Sequence, residues 1–112
     1  LIQEGFLNEE RFARVFAIGK FRLKQWGRLK IISELEQRNL SKHCIQSGLN
    51  ELEEDEYRLK LRELLHKKSS QIDTSNIYVL RDKLSKYAIQ KGFEPELVWR
   101  ELKTLFPDNT KF

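Results

Sequence analysis

The stretch Leu35-Glu36-Gln37-Arg38-Asn39-Leu40-Ser41 returns, 53 residues later, as Ala88-Ile89-Gln90-Lys91-Gly92-Phe93-Glu94. Each copy holds the end of an apolar-periodic run, a stop (Asn39, Gly92), an apolar residue (Leu40, Phe93) and a residue placed to open a new helix (Ser41, Glu94). Gly enters left-handed backbone freely and Asn more readily than most residues, so both stops read as helix ends. The register persists downstream, where Ile45 and Leu49 fall on Val98 and Leu102. Pro95 suits the first position of a helix. The pattern predicts a chain built from repeated helical units.

The remaining helices follow from periodicity. After an expected stop at Gly5-Phe6, Asn8 reads as a cap, with Glu9 and Glu10 in the first turn of a helix that continues to Lys24. Gly27 interrupts, and Leu29, Ile31, Ile32 and Leu35 stripe a second helix. Ser41 opens a third, carrying Cys44, Ile45 and Leu49. The acidic run Glu53 to Glu56 starts a fourth through Tyr57, Leu61, Leu64 and Leu65 to Lys67-Lys68, an order of charge that favours the helix dipole. Helices from about Ile77 to Lys91 and from Pro95 to Leu105 complete the chain. Aligning Phe12 and Phe16 with Tyr57 and Leu61 needs an offset of 45, so residues 69–76, rich in Ser, Thr, Asp and Asn, read as an inserted loop. The expected organisation is the end of a preceding repeat over 1–7, three-helix repeats over 8–52 and 53–106, and a fraying tail over 107–112.

A chain of 112 residues, 39% hydrophobic and 34% charged, is long enough for one core or two small cores in series. No apolar run approaches a membrane span, and no secretory signal opens the chain. The start at Leu1 without Met points to a fragment or a processed chain. Cys44, the single cysteine, has no internal disulfide partner and suits a reducing, cytoplasmic setting.

Charge is concentrated in one place. From Arg11 to Lys30 there are seven basic residues (Arg11, Arg14, Lys20, Arg22, Lys24, Arg28, Lys30) and no acidic one, in a chain of net charge +4. With Trp26 among them, these are the candidate partner-binding residues, suited to phosphates or an acidic protein surface. On a helical wheel Phe12, Phe16, Gly19 and Leu23 share the side expected to face the core, whereas Arg14, Ile18 and Phe21 lie opposite. Ile18 and Phe21 then pack on a neighbouring unit or meet a partner, and Trp26 either closes the second helix's entrance or anchors a partner. Catalysis, cofactors and metals find no support. His43 and Cys44 are adjacent but point about 100 degrees apart, His66 has no ligand partner at metal spacing, and the scattered glycines form no phosphate loop.

The run Glu4-Gly5-Phe6-Leu7-Asn8-Glu9-Glu10-Arg11-Phe12-Ala13, then Gly27-Arg28-Leu29-Lys30-Ile31-Ile32-Ser33-Glu34-Leu35 and Arg38-Asn39-Leu40, resembles the RecX regulators of bacterial recombination. The resemblance implies an all-α protein of tandem three-helix units in a curved, elongated body. It further implies a monomer that lies in the groove of the RecA-DNA filament, with secondary contact to DNA phosphates, and inhibits recombinase, ATPase and coprotease activity without being an enzyme. Such proteins usually have three units, and Leu1 to Phe6 look like the last helix of the first. The alternative reading is a helix-turn-helix-like nucleic-acid-binding module. Its expected reading helix, from Ser41 to Asn50, offers only Lys42, His43, Gln46 and Asn50.

Overall fold

The computed structural model describes residues 2–108, with side chains from residue 8 onward. It contains six helices: α1 (Ile2–Lys24), α2 (Arg28–Gln37), α3 (Lys42–Leu49), α4 (Glu54–Ser69), α5 (Ile77–Gln90) and α6 (Pro95–Leu105). The first three pack on one another, α1 chiefly on α3, and the last three do the same. Together they make an elongated all-α body of 67 × 21 × 20 Å.

The two stops behave as their residue types dictate. Asn39 has φ 64° and Gly92 φ 104°, both left-handed. In each, the amide of the following apolar residue donates back to the helix, Leu40 to the Leu35 carbonyl at 3.3 Å and Phe93 to the Ala88 carbonyl at 3.2 Å. The stop residue itself donates to Glu36 or Ile89 at 2.9 Å, completing the double closure that satisfies orphan carbonyls. Ser41 caps α3 by accepting from the Cys44 amide at 3.2 Å. Glu94 occupies the corresponding position before Pro95 but makes no side-chain cap; its carboxylate is engaged elsewhere. Glu53 caps α4, whose acids and bases sit at the dipole-favoured ends, and Asn76 caps α5.

Three expectations fail here. The stop at Gly5-Phe6 and the cap at Asn8 are absent, because α1 runs unbroken from Ile2; one interior glycine costs a helix only about 1 kcal/mol, which does not end it. The inward face of α1 is not the Phe12-Phe16-Gly19-Leu23 side but Ala13, Ala17 and Phe21, all fully buried. Close helix contact selects that face. A Cβ on Gly48 of α3 would stand 2.7 Å from the Ala13 carbonyl oxygen, so α1 and α3 touch backbone to backbone, and only small residues fit between them. The large apolar residues turn outward instead, Phe12 44%, Val15 65% and Leu23 84% exposed. Finally, the start of the tail is pinned: Arg81 donates to the Phe106 carbonyl at 2.8 Å and pairs with Asp108. Residues 109–112 of that expected tail lie outside the described residues.

Two helix sets are joined where Gly27 meets Gly92. The Gly27 amide donates to the Lys91 carbonyl at 2.8 Å and the Leu29 amide to the Gly92 carbonyl at 2.9 Å. A Cβ on Gly27 would sit 2.3 Å from the Gly92 carbonyl carbon, leaving no room for any side chain. Phe21 belongs to this joint, its ring 5.6 Å from that of Tyr57, which in turn lies 5.1 Å from Phe93.

Thermal melts test these assignments. Asn39→Gly is expected to be neutral or stabilising by a few tenths of a kcal/mol, and Asn39→Val to destabilise by about 1 kcal/mol or more. Gly27→Ala is expected to cost roughly 1–3 kcal/mol by forcing the backbones apart. Gly19, inside α1 with nothing within 4 Å of an added Cβ, is expected to gain about 0.5–1 kcal/mol as Gly19→Ala.

Candidate partner-binding surface

The basic segment divides into two kinds of residue once its side chains are placed. Arg28 is largely enclosed at the joint. Its guanidinium lies 3.8 Å from the centre of the Tyr57 ring, donates to Glu94 at 2.9 Å and to Glu54 at 2.7 Å, and its own amide donates to the Tyr57 hydroxyl at 2.9 Å. The Tyr57 hydroxyl donates in turn to Glu94 at 2.6 Å. This is the work that draws Glu94 away from capping α6. Burial opposes the Arg28 charge, but Glu94, Tyr57 and Glu54 outweigh it and raise its pKa. Burial also pushes the Tyr57 phenol well above its ordinary range, and the Glu94 carboxylate adds to the effect.

Arg22 forks onto Glu56 at 2.9 and 3.1 Å, a second bridge between the helix sets. Arg14 stands 3.8 Å from Glu10 on its own helix. Glu10 also accepts from the Ser47 hydroxyl at 2.6 Å and lies 3.3 Å from His43. The three arginines with a carboxylate partner are therefore bound within the fold.

Arg11, Lys20, Lys24 and Lys30 make no ion pair among the described residues. Two of them flank Trp26. The Lys20 ammonium lies 5.1 Å and the Lys30 ammonium 4.8 Å from the indole, within cation–π range, while the half-buried ring also meets Phe16 edge-on at 6.1 Å. Trp26 thus packs against α1 and presents a positively charged rim. Lys24 lies at the end of α1, where its carbonyl accepts from Lys91 at 2.9 Å.

Lys91 is the member that the sequence did not reveal, because it arrives from the other helix set. It makes no ion pair among the described residues, and its pKa is lowered by burial and then by the neighbouring charges of Lys30 and Lys24. The available signal was its place just before the stop Gly92, as Arg38 precedes Asn39. Lys20, Lys24, Lys30 and Lys91 thus concentrate positive charge beside the joint.

Beside this cluster the outer face of α1 carries a shallow concavity of about 190 Å³, lined by Val15, Phe16, Gly19, Lys20, Leu23 and Lys24. Of the residues weighed for chemistry, Cys44 is buried and His43 exposed, on different sides of α3. His66 lies in the last turn of α4, its ring 5.7 Å from Phe106. No group of three or more His, Cys, Asp or Glu placed to hold a metal occurs among the described residues.

Residues 8–49, which take in most of α1 with α2 and α3, match the family model for the second three-helix domain of RecX. Regulatory protein RecX of Lactobacillus johnsonii (strain CNCM I-12250 / La1 / NCC 533) is 28% identical over 97 residues, covering 87% of this chain and 36% of that protein. The chain therefore spans about a third of the length of this curated RecX relative. No solved structure matches it. The matched segment supplies Arg11, Lys20, Lys24, Trp26 and Lys30, whereas Lys91 lies beyond it.

Arg28→Ala is expected to destabilise by about 2 kcal/mol, since it leaves Glu94 and Glu54 without their partner, while Lys20→Ala and Lys24→Ala stay within about 0.5 kcal/mol in chemical denaturation. Acid provides a separate test. Glu10, held below its ordinary value first by the Ser47 hydroxyl, and Glu56, held there first by Arg22, both have depressed pKa values. At Glu54 burial acts upward but Arg28 and Arg58 prevail. A depressed carboxylate stabilises the fold above its ordinary pKa of 4.5 and ceases to do so as pH falls through its lowered folded value. The denaturation midpoint is therefore expected to fall below about pH 4.5, and Arg22→Gln to reduce that fall, because Glu56 then loses the largest cause of its lowered pKa.

Proposed function

We propose that the chain is a non-catalytic regulator that binds the RecA-DNA filament and inhibits its recombinase, ATPase and coprotease activity, thereby regulating DNA repair and homologous recombination in the cytoplasm. The observation that carries the reading is the group of four lysines beside the joint, none paired with a carboxylate among the described residues and two of them, Lys20 and Lys30, set against Trp26. A concentrated positive field steers the chain to an acidic protein surface or to phosphates, with salt weakening the encounter. The elongated body supports it, because a narrow form 67 Å long can follow a filament groove rather than plug a pocket. No helix among the described residues is long and apolar enough to cross a membrane.

In the same reading, 8–52 and 53–106 are successive repeats, 1–7 ends a preceding one and runs into the first helix of the next without a break, and the chain acts as a monomer. The candidate residues then fall into two roles. Arg11, Lys20, Lys24, Trp26 and Lys30, with Lys91, meet the partner; Arg14, Arg22 and Arg28 hold the surface in shape. A helix-turn-helix reading is less well supported, since Gln46 of α3 donates to Asn50 at 2.9 Å and two of the few residues available to read bases are tied to each other.

Lys20, Lys24 and Lys30, all reversed to Glu, test the reading. Lys91 stays, because it bonds the end of α1. Circular dichroism is expected to be unchanged, filament binding to fall by roughly tenfold or more, and inhibition of RecA ATPase to disappear. Parent and variant are titrated against RecA filaments, RecA alone and bare duplex at two salt concentrations. Tight binding to bare DNA that is indifferent to RecA would sink the proposal.

A further inference from the structure

The outer face of α1 bears an apolar strip, partly covered at Phe16 by Trp26 and Arg38 and open at Val15 and Leu23. Phe12, Val15, Phe16 and Leu23 surround Gly19, and Val15 and Leu23 are 65% and 84% exposed. Gly19 is the informative residue. It lies inside a helix, where glycine is disfavoured, has ordinary helical backbone, and has nothing within 4 Å of an added Cβ. The fold therefore gains nothing from it. What the glycine does provide is a trough between the side chains on either side, the concavity of about 190 Å³. The opposite side of α1 shows how such a place is used. There Gly48 lets α3 meet the Ala13 backbone, and a helix fills the space that the missing side chain leaves.

Charge narrows the occupant. On the helical wheel Arg11 lies on one edge of the strip, beside an Arg22 already paired with Glu56, and Lys20 and Lys24 lie on the other, with no acidic residue between Arg11 and Lys24 in the sequence. A second copy of this chain would bring like charges together along both edges. From Phe12 to Leu23 the strip runs about three turns, the length over which two packed helices remain in contact. We infer that this strip is the docking groove for an acidic amphipathic helix of a protein partner, with Gly19 at the point of closest approach. It deepens the proposed regulator reading, in which that helix belongs to the recombinase filament.

The test uses two probes, so that the two readings fail separately. One is a synthetic helix with a leucine seam flanked by glutamates, beside a counterpart with lysines in place of the glutamates. The other is the RecA filament. The chain carries Gly19→Trp, which fills the trough, or Leu23→Glu at a side chain the fold leaves exposed. Both variants are expected to keep the parent's circular dichroism, and to bind the glutamate-flanked helix and the filament roughly tenfold more weakly or worse. The lysine-flanked helix is expected not to bind the parent. A parent that binds filaments, with neither variant impaired, overturns the groove and leaves the regulator reading intact. A parent that ignores RecA but binds the acidic helix through Gly19 and Leu23 upholds the groove and overturns the regulator reading. Failure of the parent to bind the acidic helix overturns the groove, as does dimerisation of the chain, or binding to phosphatidylserine vesicles, that the same two variants abolish.

Discussion

The architecture depends on one contact, the meeting of two backbones at Gly27 and Gly92. Two helix sets of this size cannot otherwise come close enough for a Gly27 amide to reach the Lys91 carbonyl or for Leu29 to reach Gly92. Once they do, the stack of Phe21, Tyr57 and Phe93 closes beneath them, and Arg28 is enclosed against Tyr57 with Glu54 and Glu94 in reach. Desolvating an arginine is costly unless its hydrogen bonds are made, and a planar guanidinium over a ring with two carboxylates at its edges meets that condition. The glycine pair positions the polar network, and the network in turn orients the helix sets.

Arginine and lysine have separate tasks as a result. Arg22 and Arg28 reach across the joint with the forked geometry that carboxylates match, and Arg14 stays on its own helix. The lysines, compact charges on flexible stems, remain at the rim. Charge counted along the sequence treats all seven basic residues alike; only the fold shows that three of them are already neutralised.

Local features were legible in the sequence and cross-chain ones were not. Asn39 and Gly92 are legible because a left-handed helix end is decided within a few residues, and Ser41 and Pro95 for the same reason. The buried face of α1 is not legible because large apolar residues suggest burial, whereas the backbone contact at Gly48 falls on Ala13 and leaves room there only for a small side chain. Glu94 has the position of a cap, but Arg28 and Tyr57 compete for its carboxylate from other helices. Phe21 was recognised as facing away from the supposed core stripe; that it points to the next helix set required knowing where Tyr57 lies. Lys91 joins the basic cluster from the far side of the joint; the repeat places it opposite Arg38, but that match says nothing of which residues of the first helix set it meets.

Length has a mechanical meaning in such a body. The two helix sets lie along a rod 67 Å long and about 20 Å wide, and the bonds between them gather at one place on it. Whatever angle Gly27 and Gly92 adopt is multiplied by the arms on either side, so a small rotation there becomes a large excursion at the ends. The aromatic stack and the arginine bridges act like the locking screw of a caliper, and a surface grasped by both arms is measured against a spacing that the joint sets.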